Sequence, residues 1–271
     1  MRLAMAIAAI AVITFSQDVA ADDVRDDAAG DWASYGGDPG GSRYSPLQQI
    51  SADNVARLQQ VWEYQTGDVS DGSGDRPKSE FEATPIVVAD TMYVSTPFNR
   101  VIALDAETGR QKWAFDPKID LHTRYSEGLV NRGVTFWSDQ SRPQTEACHQ
   151  RVFLASIDAR LFALDAATGQ PCADFGAEGQ VDLKQGIANI TRPGEYEETS
   201  APAVAGDLII LGSSIADNDR VDSPSGVVRA FDARTGQLRW SWKPQTNSPV
   251  LADSATTEFA HLLSPGLLKP W

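Results

Sequence analysis

The chain has 271 residues, 42% of them apolar and 8% aromatic, the make-up of an ordinary globular protein with enough apolar material for a sizeable core. Against 23 lysines and arginines stand 37 aspartates and glutamates, a formal charge of -14. That balance argues against nucleic acid and against anionic membrane surfaces as partners and leaves an acidic, solvated exterior.

The opening residues, MRLAMAIAAIAVITFSQDVAADD, place Arg2 ahead of an apolar run from Leu3 to Phe15 and small residues through Ala21. This is the plan of a secretory signal peptide over 1–21, with a polar leader over 22–30. The run is short for a membrane span, and nothing later in the chain approaches 18 consecutive apolar residues, so the mature chain is expected to have no integral membrane span. An uncleaved amino-terminal anchor is the alternative.

The segment DWASYGGDPGGSRYSPLQQI lacks the flanking strand and helix and the Gly-Lys-Ser/Thr ending of a phosphate loop. Its glycines are expected to make a turn that carries Trp32, Tyr35 and Tyr44 against the first sheet. Ser51 as a cap predicts a short helix, followed by a strand over 61–65. A polar loop covers 68–80, and strands are expected at 84–88 and 91–95.

One phrase then recurs three times: VIALDAETGRQKW from Val101, LFALDAATGQPCA from Leu161 and VRAFDARTGQLRW from Val228. Each copy predicts a strand ending in aspartate, a Thr-Gly turn and a second strand. The aspartate can accept backbone amides across the turn, while Gly109, Gly169 or Gly236 takes the positive φ. The glycines lie 60 and 67 residues apart, room for about four strands per unit, so the fold class is an all-β propeller of four-stranded blades. Three to four blades fit the length, an incomplete ring. Trp113 and Trp240 stand four residues after their glycines, where a flat ring recurring once per blade packs sheet against sheet. The middle copy has Ala173 there and Phe175 shortly after.

The long insertions over 116–132 and 175–199 are where a rigid propeller would build a binding face. An exported protein meets oxidising conditions, so Cys148 and Cys172 are expected to form a disulfide. The histidines, His122, His149 and His261, are scattered and argue against zinc. The tail HLLSPGLLKPW over 261–271 breaks the pattern where another strand is due, which suggests a truncated or frameshifted product of a longer gene.

The succession WASYGGDPGGSRYSPLQQISADNVARLQQVWEYQTGD, ATPIVVADTMYVSTPFNRVIALDAETG, VNRGVTFW, YEETSAPAV and LIILGSSIADN resembles the amino-terminal half of quinoprotein dehydrogenases that use pyrroloquinoline quinone. It is most similar to the membrane-bound glucose dehydrogenase branch, over 31–260. The resemblance implies a periplasmic enzyme, free or held at the inner membrane, that oxidises an aldose sugar, another alcohol or a polyol. Calcium is the implied ion, and a respiratory quinone or cytochrome the implied electron acceptor. By motif, Glu82 of EFEATP, Arg132 of VNRG, Thr199 of ETSAP and Ser214 of GSS are expected at the quinone, with Asn218 beside them. Asp217 is expected as the metal ligand.

These residue types suit the chemistry. A planar tricarboxylate quinone needs a cationic fork and hydroxyl donors, and a hard divalent ion needs oxygen ligands. Alcohol-oxidising relatives carry paired cysteines just before VNRG, where this chain has Ser126 and Glu127, which favours the sugar-oxidising branch. The family's catalytic aspartate is expected beyond residue 271, so no catalytic residue is assigned here and the chain alone is expected to be inactive. The rival reading is a non-catalytic periplasmic propeller scaffold for protein–protein interaction, which shares the repeat and needs none of the polar set.

Overall fold

The computed structural model describes residues 31–38, 40–243 and 248–251, the last four for their backbone only. The expected signal peptide and the irregular tail lie outside the described residues. A single 3-10 turn, Val55–Arg57, stands where the short helix was expected. The strands follow in chain order: β1 (Ser79–Glu80), β2 (Ile86–Val88), β3 (Thr91–Ser95), β4 (Val101–Asp105), β5 (Gln111–Phe115), β6 (Leu129–Val130), β7 (Thr135–Ser138), β8 (Gln150–Ser156) and β9 (Arg160–Asp165). After them come β10 (Gln180–Asp182), β11 (Tyr196–Glu197), β12 (Ala203–Ala205), β13 (Leu208–Leu211), β14 (Ser214–Ile215), β15 (Val228–Asp232), β16 (Leu238–Lys243) and β17 (Ser248–Leu251).

Among the described residues, three antiparallel sheets form three blades. They are β2-β3-β4-β5, then β7-β8-β9-β10, then β12-β13-β15-β16 with β17 added as a fifth strand. Among the described residues no helix is long and apolar enough to cross a membrane.

The repeated phrase closes each hairpin in the same way. Thr108, Thr168 and Thr235 donate their backbone N–H to Oδ1 of Asp105, Asp165 and Asp232 at 2.9 Å, and their hydroxyls bond the same oxygens. The glycine N–H returns to the aspartate carbonyl in all three copies at 2.8 to 2.9 Å, with φ between 69° and 73° at the glycine.

These turns are also the joints between blades. The Trp113 indole of the first blade lies over the Gly169 turn of the second and donates from Nε1 to the carbonyl of Ala166 at 3.0 Å. Trp62 does the same to the first blade, donating to Ala106 at 3.2 Å over Gly109. Residues 61–65 therefore do not form the expected strand. They run unpaired, and their tryptophan serves as a joint.

The middle copy has no tryptophan, and its joint is built differently. The main chain at Gly176 donates to Thr235 O at 2.9 Å, and Arg151 donates to the carbonyls of Ala233 and Arg234 at 3.1 and 2.8 Å. Ala233 follows Asp232 as Ala166 follows Asp165, so the guanidinium takes the place of the indole N–H.

Face-to-face packing explains the strand sequences. Along β8, Val152 and Leu154 join a core with Ile86, Tyr93, Val101 and Trp113 of the first blade. The alternating Phe153 and Ala155 join one with Ile209 and Phe231 of the third. A blade covered on both faces needs apolar residues at both parities, hence the unbroken apolar run VFLA from Val152 to Ala155. Trp32 exchanges backbone hydrogen bonds with Val87 at 2.8 and 2.9 Å, capping the inner edge of the first blade. Tyr35 and Tyr44, expected to pack there too, are 61% and 74% exposed.

Cys148 and Cys172 form the expected disulfide, linking the entry to β8 with the chain after β9. Replacing both by serine is expected to lower the unfolding free energy by about 3 kcal/mol on the loop-closure model. Urea denaturation of the two forms at one pH checks it.

Candidate functional site

The short pairings outside the blades build the site. Strand β1 runs parallel to β6, with Ser79 opposite Leu129 and Glu80 opposite Val130. Carried two residues further, that register sets Glu82 opposite Arg132, and the N–H of Thr84 bonds the Arg132 carbonyl at 3.1 Å. On its other side Arg132 donates its own N–H to Thr199 O at 2.8 Å. Strand β11, just before Thr199, pairs with β14, so that Glu197 faces Ser214. Four segments from distant parts of the chain thus lie side by side, in the order 79–84, 129–132, 196–199 and 214–215.

The side chains follow the backbone. Arg132 Nε lies 2.9 Å from Glu82 Oε2, and its Nη1 donates to Thr199 Oγ1 at 2.5 Å. Glu82 and Arg132 are each about 40% exposed, so their pairing adds little to stability, and the fork keeps donors for a ligand. Both line a cavity of about 970 Å³ walled by the 33–41 segment, β7 and residues 200–207.

Asp217 and Asn218 belong to the neighbouring cleft, and Ser214 touches Glu127 of its lining. Ser214 donates its hydroxyl to Glu127 Oε1 at 3.0 Å. Asp217 and Asn218 are exposed and line a cleft of about 800 Å³, together with residues 123–127, Arg192 and Pro193. The structure therefore joins Glu82, Arg132 and Thr199 by direct contact and sets Asp217 and Asn218 around a second opening. The β11–β14 pair lies between the two groups.

Two buried acids in this region had no sequence signal beyond their place in YEETS. Glu197 is fully buried and accepts the backbone N–H groups of Ser126 at 2.5 Å and Glu127 at 3.3 Å. Burial pushes its carboxyl up to about 7, against the pull of those two amides. Glu198 is raised well above the usual carboxylate range by burial, which Arg229 only partly offsets.

Residues 32–261 match the family model described as the PQQ glucose/ethanol/alcohol dehydrogenase β-propeller domain. The chain belongs to the pyrroloquinoline quinone-dependent dehydrogenase family. Within that family it is similar to the quinate/shikimate dehydrogenase (quinone) of Acinetobacter baylyi, 37% identical over 80% of this chain and 28% of the relative. The quinoprotein glucose dehydrogenase of Escherichia coli is also 37% identical, over 84% of this chain and 29% of that protein. Among solved structures, a quinohemoprotein alcohol dehydrogenase from Pseudomonas putida superposes with a TM-score of 0.62 at 37% identity, covering 79% of this chain and 27% of that one. The chain thus spans less than a third of the length of these quinoprotein relatives.

Proposed function

We propose that this chain forms the amino-terminal wall of the quinone site of a periplasmic dehydrogenase that oxidises an aldose sugar or another polyol or alcohol. The observation that carries the reading is the contact chain Glu82–Arg132–Thr199, three residues from separate segments drawn together by strand register. A protein scaffold has no use for that arrangement.

The donor set fits the quinone and its ion. Arg132 offers a planar fork for a carboxylate or quinone oxygen, Glu82 fixes the direction of that fork, and Thr199 and Ser214 add hydroxyls. Asp217 and Asn218 supply the hard oxygen ligands that calcium prefers. A bound quinone would supply the two-electron acceptor for the hydride of the substrate carbon, and the ion would supply Lewis-acid polarisation. The residues of this chain bind and orient. Arg132 holds negative charge in place, Glu82 and Thr199 hold Arg132, and Asp217 fixes the ion's position.

Titrating the purified chain with pyrroloquinoline quinone in the presence of calcium, followed by quenching of tryptophan fluorescence, tests this. Binding is expected, and Arg132→Ala is expected to weaken it about tenfold to a hundredfold, the value of one or two charge-assisted hydrogen bonds. Asp217→Asn is expected to raise the calcium concentration required. No binding by the unsubstituted chain, or equal binding by Arg132→Ala, would overturn the proposal.

A further inference from the structure

Residues Ser126 and Glu127 form the rim of the 800 Å³ cleft, on an exposed turn. Exposed turns are free to move unless something holds them, and this one is held from below and from the side. From below, the two carboxylate oxygens of Glu197 each accept one of the turn's backbone N–H groups, from Ser126 and from Glu127. From the side, the Glu127 carboxylate accepts the Ser214 hydroxyl. Glu197 and Ser214 are themselves opposed in the β11–β14 ladder, so both supports come from one rigid pair of strands. Gly194 closes the other flank. It lies so near the Arg124 carbonyl that a Cβ there would come within 2.7 Å of it.

Glu197 touches neither opening. It is a fully buried acid with no cation among its hydrogen-bond partners, and burying an acid in this way is costly. Each of its two oxygens accepts an amide of the rim. We propose that Glu197 is a positioning residue of this site, gripping the Ser126–Glu127 turn so that the Glu127 carboxylate stays beside Ser214 at the mouth of the cleft. The proposal rests on the quinone-site reading given above, in which Asp217 in this cleft holds the ion and Arg132 in the neighbouring cavity binds the quinone. In that reading, Glu197 sets the shape and charge of the rim on the ion's side.

Glutamine in place of Glu197 keeps the size and one acceptor but turns an NH2 toward the other backbone N–H, whereas alanine removes both acceptors. Amide hydrogen exchange on the ligand-free chain is expected to be about ten- to a hundredfold faster at Ser126 and Glu127 in Glu197→Ala. Glu197→Gln should fall in between, with β3, β4 and β8 unchanged in both. Quinone affinity with calcium is expected to fall in the same order.

Unchanged exchange at Ser126 and Glu127, or acceleration spread evenly across the second blade, would overturn the proposal. So would accelerated exchange with quinone affinity unaltered. Because the exchange is read without ligand, it decides the grip by itself. Failure of the unsubstituted chain to bind the quinone would instead count against the functional reading.

Discussion

Gly169→Ala is expected to lower the unfolding free energy by about 2–5 kcal/mol, a large effect for one methyl group. Gly169 has φ +73°, which costs a residue with a side chain about 1–2 kcal/mol. In addition, the new Cβ would stand 2.5 Å from Cε3 and 2.6 Å from Cδ2 of Trp113, so the indole must move. Displacing a buried ring from its packing costs a further 1–3 kcal/mol or so. Trp113 would also lose its hydrogen bond to Ala166, which separates the first blade from the second.

Gly186→Ala is the control. Its φ is +76°, with nothing within 4 Å of the new Cβ, so only the conformational part of the cost, about 1–2 kcal/mol, is expected there. Urea denaturation of both variants checks the difference. If they prove equal, the tryptophan is not the joint it looks to be. Combining Gly169→Ala with Trp113→Leu should cost less than the sum of the two single changes, because the leucine removes the ring that the new methyl group meets.

The sequence made these turns legible because the information is local. Asp, Thr and Gly at fixed spacing carry the acceptor, the donors and the positive φ within five residues, and three copies agree. Trp113 was legible for the same reason. Trp62 was not. It does the same work on Gly109, but no Asp-x-x-Thr-Gly precedes it, and QQVWEYQ looks like any amphipathic strand.

The candidate site divides in the same way. Arg132 and Glu82 could be named from the motifs VNRG and EFEATP, and their contact follows from a parallel register that no local pattern announces. Glu197 could not be found at all. Its role depends on a turn 70 residues earlier, and a glutamate in YEETS looks like a solvated one. A strand sequence carries the parity of its faces, but it does not say which distant backbone amide a side chain will meet.

Arg151 is the sharpest case of that gap and the source of the second large effect. In RVFLAS an arginine at the strand's start would be expected to reach solvent, yet its side chain is fully buried. It stands where a tryptophan is missing. The joints onto the first and second blades have an indole N–H bonding Ala106 and Ala166, whereas the joint onto the third has the Arg151 guanidinium bonding Ala233 and Arg234. Nε bonds the Cys148 carbonyl at 3.1 Å, and Nη2 meets Asp174 at 2.7 Å, so every guanidinium nitrogen has a partner.

Arg151→Met, close in length and apolar, is therefore expected to destabilise the chain by about 3–5 kcal/mol, because it strands three carbonyls in a closed joint. Asp174→Ala leaves the guanidinium its three carbonyl partners. The side chain it removes is 42% exposed, but the change deprives a buried cation of its counter-ion, and a loss of about 2–3 kcal/mol is expected.

Hydrogen exchange locates the effect. In Arg151→Met the amides of the third turn, Arg234 to Gln237, should lose protection while those of the first, Thr108 to Arg110, keep it. A methionine variant as stable as the parent would mean that the Gly176–Thr235 backbone bond and the apolar core between these blades suffice. The arginine would then be a passenger in the joint and no substitute for the missing indole.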